Sequence, residues 1–133
     1  MKKVTITIGL LLLVSCTSKR DILYKTKKVN KSISNLEIIR IHLENDVKEG
    51  VDINKYNSLI NQNIYNLQRC INPKRARKHS SQYIYLDLTV GELEMLLLDA
   101  LMVGEISEPR YKFILSKLKE IRNSIKQIKY GWN

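Results

Sequence analysis

The sequence predicts an all-α fold, a small bundle of about four helices, and three observations support this prediction. Apolar residues recur at steps of three and four along most of the chain, which is the spacing of one helix face. Five glycines and two prolines in 133 residues are too few for the many turns of an all-β fold. A hydrophobic content of 44% supports a core, and the length suits one domain.

Two helices are predicted in the first half of the domain. The first spans residues 29–48 and ends before Gly50, because glycine is common just past a helix end. Its inner face is formed by Val29, Ile33, Leu36, Ile39, Leu43 and Val47. The second spans residues 53–71, with Asp52 as its N-cap and Asn72-Pro73 as its stop. Its apolar face is formed by Ile53, Tyr56, Ile60, Ile64, Leu67 and Ile71.

The third helix is predicted to begin at the capping box Thr89-Val90-Gly91-Glu92 and to close at Gly104. Its inner positions are Val90, Leu93, Leu97, Ala100 and Leu101. Further apolar residues widen its surface, so this helix is expected to be central in the bundle or part of an interface. These residues are Met95, Leu96, Leu98 and Met102. Residues 74–88 are the least regular stretch, and residues 81–88 within it alternate like a strand; a lone strand has no pairing partner, so an ordered connection or an early helical turn is expected there.

The fourth helix is predicted to open at Ser107-Glu108-Pro109, because proline is tolerated in a first turn. Its apolar seam is formed by Tyr111, Ile114, Leu118, Ile121, Ile125 and Ile128. Acidic residues dominate residues 87–108, and basic residues dominate the helix that follows. The third and fourth helices are therefore expected to pack as an antiparallel hairpin with complementary charges.

The first sixteen residues indicate the cellular compartment. Met1-Lys2-Lys3 is cationic, and Val4–Val14 is an uncharged apolar run of about eleven residues, the size of a signal-peptide core and too short to span a membrane. The next motif, Leu13-Val14-Ser15-Cys16, resembles the lipobox of bacterial lipoproteins. The resemblance implies that residues 1–15 are removed and that the Cys16 thiol carries a diacylglycerol. The alternative is a buried N-terminal helix with Cys16 as an ordinary core residue.

The chain is accordingly predicted to have three parts: a signal peptide at residues 1–15, the lipidated cysteine and a basic tether at 16–28, and a helical bundle domain at 29–133. The sequence contains two cysteines, so lipid on Cys16 leaves Cys70 as the remaining thiol. Cys70 falls on the apolar side of the second helix and is expected to be a core residue. The alternative for this thiol is a disulfide with another chain.

The formal charge of +10 is concentrated in two basic segments. The first follows the lipobox and is expected to meet anionic headgroups beside the bilayer, the alternative being a solvated tether. Its membrane-proximal residues are Lys19, Arg20, Lys25, Lys27 and Lys28. The second is a candidate site for a polyanion such as an acidic glycan or a lipid headgroup, the alternative being an ordinary exposed loop. It comprises Arg69, Lys74, Arg75, Arg77 and Lys78.

No residue pattern indicates catalysis. His42 and His79 lack the spacing and the companions of a zinc site, and the five glycines form no phosphate-binding loop. Glu92 and Glu94 are two residues apart on a helix and point to different faces, which does not suit acid/base chemistry. The chain is therefore not expected to be an enzyme or to hold a cofactor or a metal. Two aromatic residues, Tyr83 and Tyr85, are expected either in the core or at a contact surface.

The expected function is that of a lipid-anchored, non-enzymatic envelope protein that binds a protein or a polyanion. In overall plan the chain resembles the small all-helical surface lipoproteins of bacteria with A/T-rich genomes, such as spirochaetes. Thr17, in place of the aspartate that marks inner-membrane retention in some bacteria, favours the outer membrane or the cell surface. The alternative is a periplasm-facing assembly protein that docks a membrane complex through the third helix. Export would exclude nucleic acid as a partner, whereas a retained leader would favour an intracellular nucleic-acid binder.

Overall fold

A computed structural model describes the backbone of residues 2–71 and 79–130, and the side chains of residue 20, residues 22–71 and residues 83–129. The described chain forms four α-helices and contains no strand, which confirms the predicted all-α fold. The helices are α1 (Lys2–Asp46), α2 (Asn54–Arg69), α3 (His79–Met102) and α4 (Glu108–Tyr130).

The four helices pack as a bundle in which each helix contacts two others. Helices α1 and α3 each pack against α2 and α4, and the structure shows no close packing across either diagonal within the described residues. Arg110 at the start of α4 pairs with Asp46 at the end of α1, at 2.6 Å. Consecutive helices are therefore antiparallel. The ends of α2 and α4 and the start of α3 lie at one end of the bundle, and the α1–α2 and α3–α4 connections lie at the other.

The core is built from the apolar positions that the periodicity predicts. In α4 every seam position from Ile114 to Ile128 is buried, and Tyr111 is half-buried. Of the six inner residues predicted for the first helix, four are buried, while Ile33 and Val47 are half-buried against them. The buried side chains of all four helices meet in one continuous cluster, which forms the hydrophobic core of the bundle.

Helix α1 begins at Lys2 rather than at the predicted position, Val29. Residues 10–48 contain neither glycine nor proline, so nothing in that stretch interrupts helical hydrogen bonding. The predicted tether at residues 16–28 is consequently helical. At a rise of 1.5 Å per residue, Cys16 lies about 20 Å along the helix axis from Val29, the first buried core residue of α1.

Helix α3 begins at His79, so the capping box predicted at Thr89 is wrong. Thr89 lies in the interior of α3, where its hydroxyl donates to the carbonyl of Tyr85 four residues earlier, at 2.9 Å. The same oxygen accepts a hydrogen bond from the Asn66 side chain of α2, at 3.5 Å. Thr89 therefore contributes to a small polar contact between two helices. The strand-like alternation of residues 81–88 arises because this part of α3 is apolar on two faces.

Several predicted helix ends are confirmed. Gly104 has a φ of +79° directly after α3, the left-handed conformation that glycine adopts most readily. Ser107 begins α4 by accepting a hydrogen bond from the backbone amide of Arg110, at 3.4 Å. The N-cap of α2 is Ile53 rather than the predicted Asp52, although the Asp52 carboxylate accepts a hydrogen bond from the backbone amide of Asn54, at 3.0 Å. The predicted stop of α2, Asn72-Pro73, lies outside the described residues.

Two glycine substitutions are expected to change stability in opposite directions. Gly104→Ala should destabilise the protein by about 1–2 kcal/mol, because a left-handed conformation is strained for any residue with a Cβ. Gly91→Ala should stabilise it by about 0.5–1 kcal/mol, because Gly91 is inside α3 and its added Cβ would meet only the Arg122 side chain, at 3.8 Å. Urea unfolding of both variants measures the difference. Equal effects of the two substitutions would contradict the helix end at Gly104.

Candidate functional site

The outer face of α3 carries an unusual row of exposed apolar side chains. These five residues, called here the α3 outer stripe, are Ile84, Leu88, Met95, Leu98 and Met102, and their exposed fractions run from 37% to 76%. At 100° per residue they fall within a sector of about 80°. The stripe is about 27 Å long from its first residue to its last. It faces away from the buried positions Leu93 and Leu97.

Helix α3 is therefore apolar on two nearly opposite faces. A helix of this kind is normally surrounded by protein, because only one apolar face is needed to pack against a core. The inner face of α3 packs against α2 and α4, and the outer stripe is left exposed. Contiguous exposed apolar surface that is rimmed by polar residues is typical of protein-interaction sites.

A groove of about 570 Å³ runs beside the stripe, between α2 and α3. Its apolar walls come from Leu59 of α2 and from Leu88, Met95 and Leu96 of α3. Gly91 lies between Leu88 and Met95 along this surface, and its lack of a side chain leaves room in the groove. The groove is shallow, and the stripe adjoins it at Leu88 and Met95, so together they form a long apolar surface that suits a protein segment better than a compact metabolite.

Acidic side chains line both sides of the stripe, but their surroundings differ. On the side of α4, Glu94 is held by Arg122 through two contacts, at 2.5 and 2.9 Å, and Asp87 lies 3.9 Å from Lys129. These pairs confirm the predicted charge pairing of α3 with α4. On the side of α2, two exposed acids, Glu92 and Asp99, have no ion pair with any described residue. The α2 side of the stripe therefore presents uncompensated negative charge.

The α3 outer stripe was only partly predictable from the sequence. Met95, Leu98 and Met102 were expected to widen α3, and they are exposed. Ile84 and Leu88 were not assigned to the surface, because residues 79–88 were not expected to be fully helical. The signal was present in the spacing, since Ile84, Leu88 and Met95 stand at steps of four and seven, one face of a helix.

Basic residues from separate parts of the sequence meet at one end of the bundle, called here the basic end. The antiparallel arrangement places residues 20–31 of α1 beside the end of α2 and the end of α4. The exposed basic residues there are Arg20, Lys27, Lys31, Lys126 and Lys129, whereas Lys25, Lys28 and Arg69 are half-buried. The opposite end, called here the acidic end, contains six acids in the two connections and the helix ends beside them, which are Glu44, Asp46, Glu49, Asp52, Glu105 and Glu108. Three of these acids, Asp46, Glu105 and Glu108, are paired with bases of the same end.

The predicted membrane-proximal residues do not share one environment. Arg20 and Lys27 are exposed, whereas Lys25 is half-buried beside Cys70, as its electrostatic effect on that thiol indicates. Lys28 is half-buried, with its ammonium 5.6 Å from the centre of the Tyr24 ring. The side chains of two further predicted residues, Cys16 and Lys19, lie outside the described set.

The predicted polyanion site is described at one residue. Arg69 is half-buried at the end of α2, and its guanidinium stacks 5.5 Å from the centre of the Tyr65 ring. The other four members, Lys74, Arg75, Arg77 and Lys78, lie outside the described residues. Arg69 thus joins the basic end, but it already has an aromatic contact there.

Cys70 is a core residue, as predicted, with 4% of its surface exposed. Its thiol donates to the carbonyl of Asn66, at 3.4 Å. Burial raises the pKa of the thiol to about 11, although the positive charges of Lys25 and Arg69 act in the opposite direction. A buried, protonated thiol is a poor nucleophile, which disfavours the alternative of a disulfide with another chain. Tyr83 is likewise buried, whereas Tyr85 is exposed.

A polar cluster that the sequence did not indicate joins the two connections at the acidic end. The Glu105 carboxylate accepts hydrogen bonds from the Tyr56 hydroxyl, at 2.5 Å, and from the Lys55 ammonium, at 2.9 and 3.0 Å. Both contacts favour the ionised form, and they lower the pKa of Glu105, the Tyr56 hydrogen bond most strongly. Burial and the same carboxylate raise the pKa of Tyr56.

This cluster predicts a specific acid dependence of stability. Because the folded-state pKa of Glu105 is lowered, its contribution is present above its unfolded value, about 4.3, and is lost as pH falls through the folded value. Glu105→Gln should therefore be less stable than the wild type at pH 7, and the difference should shrink below about pH 4. Glu108→Gln, at an exposed surface pair with Lys112, is the control and should change little. Chemical unfolding at pH 7 and pH 3 measures both, and a difference as large at pH 3 as at pH 7 would contradict the assignment.

The described residues contain no group of three or more metal-ligating side chains. His42 packs its ring 4.4 Å from the ring of Phe113 and contacts Arg110, which ties α1 to the start of α4. Among the helices of the described chain, none carries an apolar stretch of the length that crossing a bilayer requires. The chain matches no known protein-family model, no curated protein and no solved structure at a significant level.

Proposed function

We propose that this protein is a lipid-anchored, non-enzymatic component of a bacterial envelope that binds a protein partner through the outer face of α3. The observation that carries the proposal is the α3 outer stripe, a row of five exposed apolar residues beside a groove. Such a surface is costly to leave in water, at roughly 25 cal/mol per Å² of apolar area, so covering it gives a partner substantial binding energy.

The lipid anchor is supported by the motif that ends at Cys16 and by the position of the basic end. Helix α1 leaves the bundle at the basic end and runs towards Cys16, so a lipid on that residue would hold the basic end nearest the membrane. Each basic residue close to an anionic surface contributes about 1 kcal/mol of attraction, so the basic end favours this orientation. The anchored bundle would then present the length of α3 above the membrane.

The proposed location is the outer membrane or the cell surface. Added protease should degrade the protein on intact cells while a periplasmic control protein survives. Full protection on intact cells, with cleavage after the outer membrane is permeabilised, would instead support the alternative of a periplasm-facing assembly protein. In that alternative the same α3 outer stripe would dock a membrane complex.

The binding role of α3 is tested by comparing photo-crosslinking from two exposed apolar positions, one on α3 and one on α1. A photo-crosslinking amino acid at Met95 should give one discrete adduct in living cells. The matched control is position 41, because Ile41 is apolar and similarly exposed, at 54% against 60%, but lies on the outside of α1. Equal crosslinking from the two positions, or none from either, would contradict a partner on α3.

A polyanion is the second candidate ligand, and the convergence of basic residues at one end of the bundle favours it. Binding to a soluble polyanion such as heparin should weaken steeply with salt, because the attraction is electrostatic. Substituting Arg75, Arg77 and Lys78 by alanine should lower the salt concentration at which the protein elutes from a heparin column. Unchanged elution of this triple variant would remove the second candidate.

A further inference from the structure

We infer that the element which the α3 outer stripe receives is a basic amphipathic helix of a partner protein. This inference rests on the proposed function, since it names the partner of the same surface. The inference follows from the shape of the α3 outer stripe and from the charges beside it. Described residues of α3 determine both the shape and the charges.

The shape of the surface fits a helix. The stripe is about 27 Å long and lies beside a shallow groove, and this length matches five turns of a partner helix at 5.4 Å per turn. A helix bound in this way inserts apolar residues spaced three, four and seven apart. Met95 and Met102 stand one heptad apart in the stripe, and their flexible side chains adapt to the residues that a partner presents.

The charges select a basic helix. Four acids of α3 flank the stripe, and bases of α4 pair with two of them, Asp87 and Glu94. Glu92 and Asp99 lie seven residues apart on the α2 side of the stripe, about 10.5 Å along the axis, and neither has an ion pair within the described chain. A partner helix with two basic residues at a matching two-turn interval would pair with both. The α4 side of the stripe attracts a basic helix less strongly, because Glu94 there is already paired with Arg122.

The same charges argue against a second copy of this chain as the occupant. Two α3 outer stripes packed face to face would bring Glu92 and Asp99 of both copies into one interface. Like charges in an interface oppose association, and α3 contains no lysine or arginine to offset them. A basic helix experiences attraction at the same positions.

Two synthetic 21-residue peptides test the inference. Both carry leucines in the same heptad pattern, and the positions that flank the leucines are lysine in one peptide and glutamate in the other. Their binding to the full-length chain in phosphatidylcholine nanodiscs is measured by fluorescence anisotropy, with empty nanodiscs subtracted. The lysine peptide should bind at least tenfold more tightly at low salt. Glu92→Lys combined with Asp99→Lys should invert the preference, while Met95→Glu should abolish binding and Ile41→Glu should leave it unchanged. Circular dichroism confirms that each variant is folded.

The possible failures are distinguishable. Equal binding of both peptides, with loss in Met95→Glu, would overturn the basic helix while leaving a protein-binding α3 in place. Self-association of the chain that Met95→Glu abolishes would overturn it in favour of a second copy. Binding of neither peptide would also overturn it, and the crosslinking experiment at positions 95 and 41 would then decide separately whether α3 binds any protein.

Discussion

Cys16→Ser should abolish incorporation of labelled palmitate and remove the lipid-dependent attachment of the protein to membranes. The variant should appear either as released protein or as an unprocessed precursor that retains residues 1–15. The expected effect is large, because each buried methylene of an acyl chain contributes about 0.8 kcal/mol and two or three chains anchor a protein almost irreversibly. The measurement is membrane fractionation together with gel mobility after labelling.

Cys70→Ser is the matched control for this experiment. It removes the other thiol of the chain, which is buried in the bundle and is not part of the lipobox motif. Labelling and fractionation of Cys70→Ser should match those of the wild type, although its stability should fall somewhat through the loss of a core side chain. Unchanged labelling and processing of Cys16→Ser would contradict the lipid anchor.

Leu118→Ala should reduce the free energy of unfolding by about 3 kcal/mol, within the 2–5 kcal/mol that buried leucines typically cost. Leu118 is fully buried in the middle of the α4 seam, where the core of the bundle leaves little room for collapse around a cavity. A small domain has a total stability of about 5–15 kcal/mol, so this single change should shift the urea midpoint markedly.

The adjacent Lys119→Ala provides the comparison for Leu118→Ala. Lys119 is exposed on the outside of α4, and surface substitutions of this kind usually change stability by less than about 0.5 kcal/mol. The two variants differ by one position and test which face of α4 is inside. Similar losses in both would contradict the orientation of α4 in the bundle.

The regular parts of the fold were predictable because one short-range rule governs them. In α4 the steps of three and four from Ile114 to Ile128 mark a single buried face, and the helix follows that pattern. Gly104 and Ser107 were recognisable for an equally local reason, since one residue alone supplies the special backbone angle or the capping oxygen.

The start of α3 could not be read in the same way. Tyr83 and Leu86 are buried while Ile84 and Leu88 are exposed, so apolar residues occur on two faces and the helical period is hidden. Thr89 resembled an N-cap in sequence, but its hydroxyl bonds backwards to a carbonyl of the same helix. The helical period is hard to recognise in a sequence where a helix has a second apolar face. In α3 this second face is the candidate site.

Contacts between distant residues were the least predictable feature. Glu105 meets Lys55 and Tyr56, some fifty residues earlier, only because antiparallel helices return both connections to one end of the bundle. The basic end arises in the same way, since residues 20–31 and Lys126 are remote in sequence and close in the bundle. Topology, rather than local spacing, creates these juxtapositions.

In the proposed arrangement, lipid on Cys16 holds this bundle at a membrane and leaves α3 available to a partner. Mass spectrometry of the N-terminal peptide of the protein purified from membranes is the direct test of the lipid on Cys16. The predicted result is a peptide that begins at Cys16 and carries a diacylglycerol. A chain that begins at Met1 with an unmodified Cys16 would contradict the account and would favour a buried N-terminal helix.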